Sequence, residues 1–445
     1  MMAIFNLRRV FLPIAVGIPR ASIALRKSRF VPASALILSR FQLRDAPERP
    51  SYCTGRLATL FIAGVFAIGK TAEPAEAGLW DEVKEWYVSF QLGEVDEANI
   101  FQVPVEYVGE VGLNYLGNIE LDFGEDTPGI GLIYDMGFSP EGTLLISDMV
   151  GKQALEFSST NGQYIRSFGR TGRGPGEYGS PYKVAVDPQG QVYVLDAIFG
   201  QILRYNRQGQ YLDKMQLFKS RRLLTGRGGE VFLLQTNPMH IMEVQRLDPA
   251  TSDRVYRTPV STDNQRFISF RLGSSAHLCY SPARHRLYYL GPNDYLVKEI
   301  NADTGNISHQ FGMRPEGFIP LPERYHSIWR GSSADMEEFF RQRKDGSFAG
   351  TITAVNHMIL IEDQYLLVHH VHPGTFTDSW VLYGLTGSAG IEGYYFDELA
   401  LEYLKPFGKI AAWQDRLYIW RKPAAEVAEM SNGTVEIYEL SFTAN

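Results

Sequence analysis

Downstream of residue 117, apolar and polar residues alternate with a period of two, in short runs cut by glycine-rich turns. Runs such as QVYVLD, HRLYYL, QYLLV and RLYIW carry β-branched and aromatic residues, and turns such as DPQG, NRQG and ADTG punctuate them. Strict alternation of this kind predicts half-buried β-strands joined by tight turns. Two segments depart from it. Residues 79–89 (LWDEVKEWYVS) have the look of a short amphipathic helix. Residues 334–344 (ADMEEFFRQRK) place Met336, Phe339 and Phe340 on one helical face.

The strand pattern repeats. Laying Gly142 on Gly190 pairs Pro140 with Pro188, Asp148 with Asp196 and Phe157 with Tyr205, an offset of 48 residues. Each period holds four strand-like segments, which predicts a β-propeller blade. Six blades follow from the pattern, at residues 131–169, 179–218, 221–260, 276–312, 351–396 and 410–445. The last has only three strands. GNIELDFG (117–124) matches the outer strand GQYIRSFG of the first blade and lacks partners, so it is expected to complete the last blade. Such closure removes two open sheet edges. The expected fold is therefore all-β: a six-bladed β-propeller over residues 117–445, its last blade closed by an N-terminal strand. A helical cap is inserted at 312–350, and residues 78–116 form a linker with a short helix. Long loops without blade structure are more often functional than neutral.

The run GRGPGEYGSP followed by VAVDPQGQVYVLD resembles the NHL-type six-bladed propellers, and in particular secreted bacterial six-bladed propeller proteins of unassigned function. The resemblance is sharp over one linker and two blades. It implies the fold but not one activity, because such propellers include binding scaffolds, RNA binders and metal-dependent lyases or lactonases.

Charge narrows those options. The chain carries a net charge of −7, yet residues 1–77 hold 11 Lys and Arg against 4 Asp and Glu. The rest is correspondingly acidic, which argues against a nucleic-acid partner. Within the leader, Arg56 precedes the apolar run LATLFIAGVFAIG and then Ala75-Glu76-Ala77, the layout of a secretory signal peptide over 56–77. Cleavage would start the mature chain near Gly78. Its depth leaves three other origins open: a later translation start, an organelle transit peptide (residues 1–44 contain no acid), or an uncleaved anchor. The expected location is exported: periplasmic, cell-envelope or extracellular, with membrane association only through this segment. Of the two cysteines, Cys53 lies in the leader, so no internal disulfide is expected and Cys279 reads as a small buried apolar residue.

The repeat also nominates chemistry. The residue ending the second strand of each blade is Asp148, Asp196, Gln235, Gly291, His369 or Arg421. These positions mark where the chain leaves the core on the face carrying the blade-to-blade loops. Two acids, an amide, an imidazole and a guanidinium at one opening could orient a small polar ligand. Alternatively, each caps its own loop by accepting backbone N–H groups. Arg170 and Arg173 flank the glycine-rich linker and either pair with acids of a neighbouring blade or reach a bound anion. GRTGRGPGEYG has no GK[ST] ending and so is not a phosphate loop. In HHVHPG, His370 and His372 fall on one side of a strand and His369 on the other. His-x-His could hold a divalent metal, but the other blades offer no histidine at the equivalent position. No nucleophile elbow, HExxH helix, EF-hand loop or cysteine zinc spacing occurs. The expected protein is a monomer without cofactor that binds a small polar or carbohydrate-like ligand, or a protein partner, at its loop-rich face. The alternatives are a metal-dependent lyase or lactonase using the same mouth, and a structural envelope module.

Overall fold

The computed structural model describes residues 100–123, 129–216, 220–236, 242–248, 250–251, 253–260, 276–321, 352–372, 378–385, 390–404, 408–421 and 433–442. The leader, the 79–89 segment and the 334–344 segment lie outside these residues. The chain divides into Met1–Thr71 and Ala72–Asn445, and every strand below belongs to the second unit.

Strand β1 (Val105–Glu120) comes first. The first blade is β2 (Ile133–Phe138), β3 (Leu144–Asp148), β4 (Gln153–Phe157) and β5 (Tyr164–Ser167). A small parallel pair, β6 (Arg170–Thr171) and β7 (Glu177–Tyr178), forms the glycine-rich linker. The second blade is β8 (Pro181–Val186), β9 (Val192–Asp196), β10 (Gln201–Tyr205) and β11 (Tyr211–Gln216). The third is β12 (Ser220–Thr225), β13 (Val231–Thr236), β14 (Met242–Leu247) and β15 (Arg254–Pro259). The fourth is β16 (His277–Ser281), β17 (Arg286–Leu290), β18 (Val297–Asn301) and β19 (Ile307–Phe311). The fifth is β20 (Ala354–Ile361), β21 (Tyr365–Val371), β22 (Asp378–Gly384) and β23 (Ile391–Phe396). A short helix, α1 (Glu398–Tyr403), follows, with Asp397 accepting a hydrogen bond from Ala400 N at its start. The last group is β24 (Lys409–Trp413), β25 (Arg416–Trp420) and β26 (Thr434–Phe442).

β1 supplies the fourth strand of that last group. Val111 to Glu120 pair antiparallel with Phe442 to Thr434. The strand is longer than the pattern suggested, because its first half, Val105 to Val111, runs parallel to β23. The stretch 105–116, expected as linker, is therefore strand that joins the fifth and last groups into one eight-stranded sheet. Its sequence VEYVGEVGLNYLG is interrupted by glycines, and the registers slip near Gly109 and Gly117, which blurs the alternation.

Period-two alternation explains how the sheets stack. In β9, Val192 and Val194 pack towards the first blade, while Tyr193 and Leu195 pack towards the third. Among the described residues, six apolar clusters of this kind sit between successive groups. The last of the cycle joins Trp420 and Tyr418 of the final group to Leu144 and Phe157 of the first. Each fully buried side chain of this size contributes about 1.5–3 kcal/mol, so the interfaces, rather than single sheets, hold the fold together. The inner strands β2, β8, β12, β16, β20 and β24 touch one another in a closed cycle. The fold is all-β and propeller-like.

The glycine-rich linker is packed rather than open. Tyr205 Oη donates to Gly176 O at 3.0 Å, and Ala154 N donates to Tyr178 Oη at 3.2 Å. Gly169 has φ +71° and its missing Cβ would collide with Tyr205 Oη, so only glycine fits there.

Candidate ligand site in the central channel

Each inner strand carries a polar residue near its start that faces the same position of the second strand. Pairing register makes six of them equivalent: Asp135 faces Ser147, Lys183 faces Leu195, Arg222 faces Leu234, His277 faces Leu290, His357 faces His369 and Lys409 faces Trp420. In four blades the register slips one residue earlier, so a bulge precedes the polar residue. Bulges sharpen twist and re-aim side chains, and they recur beside binding sites. All six residues line one cavity of about 560 Å³ that runs along the inner strands. The cavity is within the range of small-molecule sites.

Its electrostatics are one-sided. Three cations, Lys183, Arg222 and Lys409, line it, and Asp135 is the single carboxylate among the described lining residues. Lys183 Nζ meets Asp135 Oδ2 at 2.8 Å. Lys409 Nζ lies 5.1 Å from the centre of the Tyr134 ring, a cation–π contact. Burial lowers the Lys409 amine, Asp135 opposes that, and Arg222 and Lys183 add to it. Tyr134 and Tyr182, the bulge residues of the first two blades, touch through their hydroxyls with ring centres 4.0 Å apart. Burial first, and Tyr182 second, push the Tyr134 hydroxyl well above its usual range.

Arg222 Nε donates to Ala276 O at 3.2 Å, and its Nη2 lies 3.3 Å from His277 Nδ1. Burial, followed by the charge of Arg222, holds His277 well below the usual histidine range. His357 is lowered in the same way, by burial and then His369. Both imidazoles are neutral at neutral pH. The His277 and His357 rings are 6.3 Å apart, and His357 stacks over His369 at 6.1 Å. Cys279 also lines the cavity. Its thiol donates to Met358 O at 3.2 Å and burial pushes it up to about 11, so it is an inert thiol.

The residues nominated from the repeat sit one strand further out, and none of them lines this cavity. Asp148 accepts from the backbone N–H groups of Gly131, Leu132, Val150 and Gly151 at 2.8–3.1 Å. Asp196 accepts from Gly179, Ser180 and Ile198 N and from Gln201 Nε2 at 3.0–3.2 Å. Each carboxylate ties the incoming linker to the next turn. Gln235 is buried in β13, opposite Ser220 and Glu243. Arg421 donates to Glu436 Oε2 at 2.5 Å and to Tyr403 O at 2.6 Å, fastening α1 to the last blade. His369 is sandwiched between His357 and Trp380, the latter at 3.9 Å, with Nε2 3.2 Å from Asp378 Oδ2. Arg170 pairs with Glu177 at 2.8 Å, while Arg173 lies over the Phe199 ring at 5.5 Å beside a separate surface groove.

The histidine cluster does not converge. His370 Nε2 donates to Asp294 O at 3.0 Å, whereas His372 bonds Thr353 Oγ1 at 3.0 Å and Ser379 Oγ at 2.6 Å. Burial lowers both, His370 to about 4. Among the described residues no group of three or more His, Cys, Asp or Glu is placed to hold a metal. Register also corrects the repeat alignment by one residue. Val355 pairs with His370 as Ile133 does with Asp148, so His370, not His369, is the fifth blade's equivalent of Asp148 and Asp196. β21 is two residues longer than β3 and β9, which displaced the match.

The channel residues were missed by sequence reading, although a signal existed. Tyr134-Asp135 and Tyr182-Lys183 stand at the same 48-residue offset, polar residues in otherwise apolar inner strands.

Comparison with known proteins agrees with the fold. Residues 125–222 match a family described as a 6-bladed beta-propeller. The fold is a β-propeller. Among solved structures, a protein described as exported from Bacteroides fragilis shares 14% identity, with a TM-score of 0.52, covering 78% of this chain and 100% of its own. A member of the duf4221 family from Bacteroides vulgatus shares 11% identity, with a TM-score of 0.51, covering 75% of this chain and 98% of its own. At such identities the likeness is one of fold alone. No curated protein matches the chain.

Proposed function

We propose that the chain is an exported, monomeric six-bladed propeller of NHL-like type that binds a small polar ligand in the mouth of its central channel. The observation that carries this reading is the ring of Asp135, Lys183, Arg222, His277, His357 and Lys409. Each contributes a polar side chain at an equivalent register position of one cavity. Core packing alone does not call for such residues, since the interfaces between successive groups are built from apolar side chains. The mouth lies at the strand ends that also carry the blade-to-blade linkers, so a ligand would enter from the loop-rich face. Export is supported by the signal-like run over 56–77 and by the exported description of the Bacteroides fragilis relative in fold.

Gly137 supplies a clean test. It lines the channel, and a Cβ built there meets nothing within 4 Å. Gly137→Phe should therefore place a ring in the channel, its Cβ meeting no neighbour. A thermal-shift screen of sugars, amino acids, dicarboxylates and phosphates should find compounds that raise the Tm of the native protein by a few degrees but not that of Gly137→Phe. If no compound shifts the native protein, or if the filled variant responds equally, the channel is not the site.

A further inference from the structure

We propose that His277 selects what the channel binds: its Nε2–H donates to an oxygen acceptor of the ligand, whether hydroxyl, carbonyl or carboxylate. This deepens the polar-ligand reading and rests on it.

Geometry fixes which nitrogen of His277 carries the proton. Arg222 Nη2 lies 3.3 Å from His277 Nδ1. A guanidinium donates and cannot accept, so Nδ1 is the acceptor and is bare. The one N–H of the ring then sits on Nε2. That edge of the imidazole has no hydrogen-bond partner, although His277 is only 6% exposed and lines the channel. Backbone pairing holds the residue in place, because His277 opens β16 opposite Leu290. A buried donor without an acceptor costs free energy, and an oxygen that reaches it removes that cost.

The charged side chains of the channel favour the same half of the ligand's chemistry. Lys183, Arg222 and Lys409 are donors only, and they remain so whatever else each of them touches. Asp135, the single carboxylate among the described lining residues, already accepts from Lys183 at 2.8 Å. A ligand rich in acceptors therefore fits this lining. One that can only donate leaves the Nε2–H of His277 unmet and meets cations besides. A site that hydrogen-bonds one group of a ligand discriminates strongly against an analogue lacking it, because its own polar atoms are then left unpaired.

Two measurements on the full chain test the proposal. NMR of histidine-labelled protein reads the tautomer, with His277→Gln assigning the signal. The native protein without added compound should show Nε2–H; an Nδ1–H ring overturns the proposal. Calorimetric titration with glucose, citrate and putrescine at matched ionic strength reads the selection. Glucose or citrate should bind at least about ten-fold more tightly than putrescine, a diammonium with no acceptor, a gap worth about 1.4 kcal/mol. His277→Phe should weaken that binding by about ten-fold or more while the melting transition stays cooperative. His277→Gln, which keeps an N–H at a similar reach, should recover most of it. Binding of glucose alone or of citrate alone supports the proposal and tells a neutral oxygen from an anionic one. If His277→Phe does not fold, the bound compound must instead shift the Nε2–H resonance, and an unshifted resonance overturns the proposal. Binding that Gly137→Phe removes and His277→Phe leaves intact overturns the role of His277 and spares the polar-ligand reading. So does putrescine binding as tightly as glucose and citrate. Binding that Gly137→Phe also leaves intact, or no binding of either oxygen-bearing compound, overturns both.

Discussion

Lys183 Nζ and Asp135 Oδ2 lie 2.8 Å apart, although the two residues hold the same position in successive blades, 48 residues apart. The repeat has thus placed opposite charges at equivalent points, and the ring closes one of its own contacts. Both side chains are about one-fifth exposed, so the pair is worth more than a surface ion pair but is still screened. Asp135→Asn should cost about 1–2 kcal/mol in urea denaturation, because it removes the carboxylate that Lys183 meets. The exchanged pair Asp135→Lys with Lys183→Asp should recover most of that loss. Equal stability of the single and exchanged variants would show that the contact is incidental.

Asp196 behaves as a keystone of its blade. It collects three backbone N–H groups at 3.0–3.2 Å together with Gln201 Nε2. Asp196→Ala should therefore destabilise the fold by about 3 kcal/mol or more, since several buried donors lose their acceptor together. Asp196→Asn, which keeps one acceptor oxygen, should cost less. Neither should alter ligand binding in the channel beyond the loss of folded protein. Denaturation midpoints separate this structural role from a ligand contact.

The difference between Asp196 and Lys183 shows what the sequence could convey. Strand alternation and the 48-residue offset made the blades legible, because burial on two faces imposes a period of two on every blade. The point at which each second strand leaves the core was legible as well, since a polar residue after VYVL marks it. Which strand faces the channel was not. Asp148 and Asp196 stand out in sequence because loop geometry requires an acceptor at that point in each of the first two blades. The channel residues vary in type around the ring, Asp135, Lys183, Arg222, His277, His357 and Lys409, so the repeat aligns only the first two of them and no shared residue marks the position. Bulges in four inner strands also shift the register by one, which an alternation count cannot detect. The closing strand was found, but only in the half that copies the outer strand of the first blade. Its parallel contact with β23 has no counterpart elsewhere in the repeat.

Acid should destabilise the protein through its buried histidines. His277, His357 and His370 all have folded pKa values held below the ordinary 6.5 by burial, His370 at about 4. In the unfolded chain each takes up a proton as pH falls through about 6.5, while the folded protein does not. The unfolded state then binds more protons, so stability rises with pH across this window and falls on acidification. The loss begins near pH 6.5 and, for His370, is complete only near pH 4, amounting to about 3 kcal/mol. Urea midpoints between pH 7 and pH 4.5 should fall steadily, and His370→Phe should flatten part of the slope. A pH-independent midpoint over this range would contradict the assignment of neutral buried imidazoles.

The closing strand makes the sharpest demand on the fold. β1 is hydrogen-bonded on both sides, to β23 through Val105 to Val111 and to β26 through Val111 to Glu120. Val111 sits where the two partners meet, opposite Phe396 and Phe442, and is fully buried. Removing residues 1–99 leaves all of these pairs in place and should give a folded, soluble protein. Removing residues 1–123 strips β1 and exposes the edges of β23 and β26. It also takes Leu113 from the cluster that joins the fifth and last blades, and Ile119, Leu121 and Phe123 from the cluster that joins the last blade to the first. Two unpaired edges beside an opened apolar core are a template for aggregation. The longer deletion should therefore appear in the insoluble fraction, or melt without cooperativity. Val111→Asp in the otherwise intact chain should reproduce the defect at a single residue, at a cost of about 4 kcal/mol or more for an unpaired charge in a dry core. If the longer deletion stays soluble and melts at the temperature of the shorter one, β1 is an accessory strand, and the ring is held by the other blade interfaces alone.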